Sequence, residues 1–161
     1  MRFLWFLLLL VASFVILRGS GGANDQPIRY NHKAHIEGGF ECSECHLNVE
    51  TQARTSLPNI EICVDCHDDL EAENPEERKV AGFVTEKVRI PWVQIHSVPD
   101  YAYFSHRRHV TLGEIECESC HGAVSEMTQP FVQPFVEINM DWCVGCHEQR
   151  AVSVDCVACH R

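Results

Sequence analysis

Residues 104–122 read FSHRRHVTLGEIECESCHG: two histidines three residues apart, His106 and His109, stand just upstream of Cys117-x-x-Cys120-His121. A second stretch, residues 30–46, reads YNHKAHIEGGFECSECH and repeats the plan: aromatic, any residue, His, basic, any residue, His, branched aliphatic, then Cys-x-x-Cys-His. The cysteine pair begins seven residues after the second histidine in one copy (Cys42) and eight in the other (Cys117). Self-similarity at this level identifies two modules built on one plan.

Working outward, all ten cysteines fall in such pairs: Cys42/Cys45, Cys63/Cys66, Cys117/Cys120, Cys143/Cys146 and Cys156/Cys159. Each pair is followed directly by a histidine, namely His46, His67, His121, His147 and His160. Cys-x-x-Cys-His is the attachment pattern for c-type haem. Two thiols add to the vinyl groups, and the adjacent imidazole meets the iron from the same short turn. Five occurrences with no cysteine left over exclude zinc knuckles, thioredoxin-like sites and a disulfide framework as the general reading. The expected cofactor is five haem c.

Ten histidines are present, so five remain after the motifs are counted: His32, His35, His96, His106 and His109. Five irons need five second axial ligands, and the count allows bis-histidine ligation at every one. Histidines at i and i+3 of a helical turn project about 60° apart and so reach two different haems. Met140, three residues before Cys143, is an alternative ligand that would raise one haem's potential.

The first motif pair, the second motif triplet and the stretch between them divide the chain into 1–23, an N-terminal anchor or signal peptide; 24–70, a two-haem module; 71–95, a linker; and 96–161, a three-haem module. The charge density around DDLEAENPEE predicts an exposed acidic loop there, and Pro91 and Pro99 keep the following stretch extended. Removing residues 1–23 from 161 leaves 138, about 28 per haem, too few for a large side-chain core. The expected fold is therefore small and haem-cored, mostly irregular with short α-helices and few strands. Trp92, Trp142, Phe131 and Phe135 are expected on haem edges.

Because c-type attachment takes place outside the cytoplasm, an export segment is expected, and the apolar run Phe3–Leu17, flanked by Arg2 and Arg18, supplies one. Its length lies between a signal-peptide core and a membrane span. Arginines at both ends favour an uncleaved anchor on the periplasmic side of the cytoplasmic membrane. The net charge of −10 argues against a nucleic-acid partner and suits docking to a basic redox protein.

The aromatic-x-His-x-x-His phrase ahead of Cys-x-x-Cys-His resembles class III multihaem cytochromes c, most closely over residues 104–160. That resemblance implies His106 as ligand for the haem at Cys117/Cys120, His109 for the one at Cys156/Cys159 and His32 for the one at Cys42/Cys45. His35 and His96 would divide the haems at Cys63/Cys66 and Cys143/Cys146. The sequence departs from the family before Cys143, where EINMDW holds no histidine.

The N-terminal segment, the five motifs and the phrase IPWVQIHSVPDYAYFSHRRHV together resemble the membrane-anchored pentahaem subunit of alternative complex III and of related quinone-linked respiratory complexes. The resemblance implies an iron–sulfur/molybdopterin-like subunit, quinol-binding membrane subunits and a monohaem cytochrome c as partners. An electron-transfer subunit, not an enzyme in itself, is the leading expectation. A soluble periplasmic electron shuttle is the alternative, and a multihaem reductase with one open haem face is a third.

Overall fold

The computed structural model describes residues 25–160. The expectation of an anchor falls on residues 1–23, outside that range. Among the described residues, no helix is long and apolar enough to cross a membrane.

The architecture is a string of short helices joined by irregular segments. They are α1 (His32–Glu37), α2 (Cys42–Cys45), α3 (Ile60–Cys63), α4 (Pro75–Glu86), α5 (Glu118–His121), α6 (Met140–Gln149) and α7 (Cys156–Cys159). A π-helical segment spans Arg107–Leu112, and a 3-10 turn spans Val124–Glu126. No strand occurs among the described residues, only an isolated bridge between Ala102 and His160.

Asparagine starts most of the helices. The side chains of Asn31, Asn59, Asn74 and Asn139 accept hydrogen bonds from Ala34 N, Ile60 N, Glu76 N and Trp142 N, at the heads of α1, α3, α4 and α6. Such caps satisfy amides that the helix itself leaves open. In α2, Glu41 and Glu44 form a capping box instead.

The acidic stretch is an exposed, non-helical loop over residues 68–74, and its last three residues open the longest helix, α4. Asn74 caps it, Pro75 occupies its first position, Glu76 and Glu77 sit in its first turn, and Lys87 closes it in a left-handed conformation. Charge density outweighed start signals in the sequence reading, although proline at the first position and carboxylates in the first turn both favour a helix. The linker is also where the apolar cluster lies: Val80 of α4 packs with Ile28 and Ile90, joined by Ile60, Cys63, Phe83, Val84 and Trp92.

Apart from that cluster there is almost no side-chain core. Ile28, Val80, Ala81 and Ile90 are the buried hydrophobic residues, and no large side chain is fully buried among the described residues. Val157 is 85% exposed, and Leu112, Phe135 and Tyr101 each exceed 60%. Side chains of this kind leave a protein marginal unless another body covers them.

Each copy of the His-x-x-His phrase is tied to a distant part of the chain. Lys33 N of α1 donates to Met127 O (3.0 Å), and Lys33 pairs with Glu126. In return, His106 N and Arg107 N donate to Ala53 O and Gln52 O, both at 3.0 Å, and Thr111 Oγ1 donates to Glu50 O (2.6 Å). The first His-x-x-His segment thus leans on residues 126–127, and the second on residues 50–53.

Candidate haem sites

All ten cysteines are free thiols, none joined in a disulfide. Each motif is one helical turn. His46 N, His67 N, His121 N and His160 N donate to Cys42 O, Cys63 O, Cys117 O and Cys156 O, at 2.8 to 3.0 Å. The fifth motif, Cys143 to His147, lies within α6. A turn of this kind puts the cysteines at i and i+3 on one face and brings the histidine back beside them, the arrangement that covalent attachment requires.

The histidine rings are held by a recurring device. His35 Nδ1–H donates to Asn31 O and His109 Nδ1–H donates to Ser105 O, both at 2.8 Å and both to the carbonyl four residues earlier. His46, His106 and His147 use Nδ1 toward Ser56 O (3.2 Å), Ala53 O (3.2 Å) and Ser153 O (2.8 Å). With Nδ1 engaged as a donor, Nε2 is left with its lone pair, and the ring is oriented to offer it to a metal.

The aromatic residue that opens each phrase completes the device. Tyr30 stacks on His35 (centroids 4.6 Å apart, 20° between planes) and meets His32 edge-on at 4.7 Å and 79°. Phe104 does the same, stacking on His109 (4.7 Å, 23°) and meeting His106 edge-on at 4.9 Å and 89°. The sequence showed these aromatics as part of the repeat but gave them no role. Their position two residues before the first histidine was the signal that pointed to them.

Ring separations indicate which histidines face one another. An iron held between two imidazoles would need their ring centroids about 6 Å apart. His35 and His67 are 6.0 Å apart, and His109 and His147 are 6.2 Å apart. His96 lies 4.5 Å from His121 in an edge contact, and Phe131 packs on both His96 (5.0 Å) and His32 (6.2 Å). Here the structure departs from the implied pairings. His109 stands against His147 and not His160, because the Ser105 carbonyl and the Phe104 face aim it there. His96, not His106, abuts His121, while the ring neighbour of His160 is Tyr101 at 5.9 Å.

Burial keeps several of these imidazoles neutral, the form that binds iron. His32 and His121 are pushed down to about 4, first by desolvation and then by neighbouring histidines, His46 and His35 for the former and His96, His106 and His46 for the latter. His96 and His106 are lowered for the same first reason. His32 Nδ1 and His96 Nε2 are buried without a hydrogen-bond partner. A buried nitrogen of this sort is costly unless something binds it. Paired thiols, oriented imidazoles, orphaned ring nitrogens and a missing side-chain core together fit c-type haem.

Other expected residues behave differently. Met140 is the first residue of α6 and is 64% exposed. Trp92 donates its Nε1–H to Pro58 O (2.7 Å) and belongs to the apolar cluster. Phe135 lies over Gly122, where a Cβ would come within 2.6 Å of its ring.

Comparison with known proteins agrees with this geometry. The family described as cytochrome c7 and related cytochrome c matches residues 102–161, and the family described as cytochrome c3 matches residues 34–129. The multiheme cytochrome c subunit of menaquinone reductase from Nitratidesulfovibrio vulgaris is 37% identical over 99 residues, which are 60% of this chain and 46% of that protein. The chain thus matches under half the length of that relative. With the cytochrome c3 match covering more than half of the sequence, the chain belongs to the cytochrome c3 family of multihaem electron-transfer proteins.

Proposed function

We propose that this chain is a pentahaem c-type cytochrome that carries electrons as a subunit of a quinone-linked respiratory complex, held at the periplasmic face of the membrane by its N-terminus. The observation that carries the reading is the matching of five Cys-x-x-Cys-His turns with five further histidines, two of which, His35 and His109, already stand about 6 Å from a motif histidine. When bound, the haems supply one-electron oxidation and reduction.

The chain's own residues hold and tune those groups. Cys42, Cys45, Cys63, Cys66, Cys117, Cys120, Cys143, Cys146, Cys156 and Cys159 attach them, and His46, His67, His121, His147 and His160 give the proximal nitrogens. Of the distal set, His35 would serve the iron at His67 and His109 the iron at His147, while His32, His96 and His106 would serve the remaining three. An iron ligated on both faces has no vacant position, which favours electron transfer over chemistry on a substrate. The division into a two-haem and a three-haem module, meeting through α1 and the Arg107–Leu112 segment, belongs to the same proposal.

The quinone link rests on the likeness to a menaquinone reductase subunit. Partners of iron–sulfur/molybdopterin-like and quinol-binding type follow from that reading, as does a monohaem cytochrome c. Gentle solubilisation of the native membrane, followed by identification of what co-purifies, tests it: quinone-reactive membrane subunits are expected. A lone protein in the soluble fraction would defeat the complex and make the chain a shuttle.

A further inference from the structure

We propose that Ser153 is a positioning residue: its main-chain carbonyl, fixed by its own hydroxyl, helps to make the site at Cys143/Cys146 the lowest in potential of the five. This rests on the reading of His147 and His109 as the two ligands of one iron.

The chain after the fourth motif folds back over the imidazole. Helix α6 ends at Gln149, Ala151 takes a left-handed conformation (φ 53°), and Val152 N donates to His147 O (3.0 Å). A left-handed residue just past a helix reverses the chain in this way. Ser153 O then accepts from His147 Nδ1–H at 2.8 Å, and no other donor among the described residues shares that oxygen. The Ser153 hydroxyl closes a local turn, accepting from Asp155 N (3.2 Å) and donating to Asp155 Oδ2 (3.1 Å). Serine hydroxyls that bond the backbone two residues on hold turns in one shape. The carbonyl is therefore aimed by the side chain of its own residue.

The opposite imidazole is held by the same kind of arrangement. His109 Nδ1–H donates to Ser105 O, also at 2.8 Å, and the Ser105 hydroxyl accepts from Arg108 N (3.4 Å). The rings of His109 and His147 stand 6.2 Å apart. Both ligands of that iron thus donate to a main-chain carbonyl at short range.

No other pair can match this. Among the described residues five imidazoles donate to a main-chain carbonyl: His35, His109 and His147 at 2.8 Å, and His46 and His106 at 3.2 Å. His35 faces His67, which is not among the five. However the remaining histidines are paired, none of those pairs has two bonds of 2.8 Å.

The consequence is electronic. As Nδ1–H leans toward a carbonyl, negative charge builds on the ring, and Nε2 becomes a more basic ligand. A more basic ligand stabilises ferric over ferrous iron and lowers the potential, and here the effect acts from both faces. The Asp155 carboxylate, bonded to the Ser153 hydroxyl, adds a negative charge nearby that works in the same direction. The site at Cys143/Cys146 is then the last of the five to be reduced and the first to be reoxidised.

The test uses the full-length holoprotein. Mass spectrometry counts the attached haems, and nuclear Overhauser contacts in the reduced, diamagnetic protein assign each haem to its cysteines and its two imidazoles. Fewer than five haems, or His109 on an iron other than that of His147, overturns the ligand reading and the proposal with it. With both in place, stepwise oxidation followed through the haem methyl resonances gives the order in which the sites lose their electron. The site at Cys143/Cys146 is expected first, and any other site ahead of it overturns the proposal alone. Ser153→Ala removes the hydroxyl that aims the carbonyl and should shift that one site to higher potential, while Ser153→Thr, which keeps the hydroxyl, should restore it. An unchanged potential at that site in Ser153→Ala, or an equal shift at all five, overturns the positioning role of Ser153.

Discussion

Asn59 is the buried polar residue of the described chain, 6% exposed, and replacing it with alanine should unfasten the second Cys-x-x-Cys-His motif from the Ile90 segment. Its side chain makes three bonds at once. Oδ1 accepts from Ile90 N (2.8 Å) and Ile60 N (3.0 Å), and Nδ2 donates to Ile90 O (3.1 Å). In Asn59→Ala the amide and carbonyl of buried Ile90 both lose their partner, at about 1–3 kcal/mol each. Loss of the cap on α3 adds about 1 kcal/mol. Water entering the space offsets part of this, so a total of about 3–5 kcal/mol is expected. Urea unfolding of the holoprotein followed by far-ultraviolet circular dichroism measures it. Asn59→Asp keeps the two accepted bonds and loses the donated one, and so should fall between wild type and alanine. A loss below about 1 kcal/mol in the alanine variant, within the range of an ordinary surface change, would refute the claim that Asn59 holds α3 to the Ile90 segment.

Three further outcomes follow from the geometry. Phe104→Leu removes the face contact on His109 and the edge contact on His106, interactions of about 0.5–1.5 kcal/mol; electron paramagnetic resonance of the oxidised protein should show altered g-values for two haems, and an unchanged spectrum would deny Phe104 a positioning role. His109→Met should raise the potential of one haem, because methionine ligation stabilises the reduced iron. That haem should be the one at Cys143/Cys146, and a response from the haem at Cys156/Cys159 would show that the facing of His109 and His147 does not survive haem binding. Gly122→Ala should destabilise by about 1–3 kcal/mol, since φ is +71° and the new Cβ would meet the Phe135 ring at 2.6 Å; a thermal melt with no shift would contradict this.

The parts of this protein that were legible from its sequence are those set by local spacing. Cys-x-x-Cys-His is a single-turn device, so the residues themselves fix its shape, and the small number of residues available per motif foretold short helices around a missing core. The duplicated phrase was readable as a repeat, and the second histidine of each copy faces a motif histidine, His35 toward His67 and His109 toward His147. What spacing could not deliver was the destination of each ring. His109 turns toward His147 because of a backbone carbonyl and a phenyl face, and His96 reaches His121 from an extended segment with Phe131 beside it. Those are tertiary contacts between residues far apart in the chain. The α4 helix was missed for a different reason: the acidic run at residues 68–77 that leads into it obscured the apolar spacing of Val80, Ala81, Phe83 and Val84.

An interior furnished by cofactors and not by side chains also changes how such a protein can diverge. In an ordinary domain, dozens of buried apolar positions constrain one another, and substitutions must be matched in volume. Among the described residues, four buried hydrophobic residues carry that burden. The remaining constraint falls on intervals: the four residues from first cysteine to histidine, the three between paired histidines, and the two from aromatic to the first of them. Between those intervals, loops such as residues 47–58 can lengthen, shorten or change composition while the interior keeps its shape. Relatives of this chain should therefore differ freely in length and surface, yet remain recognisable by rhythm.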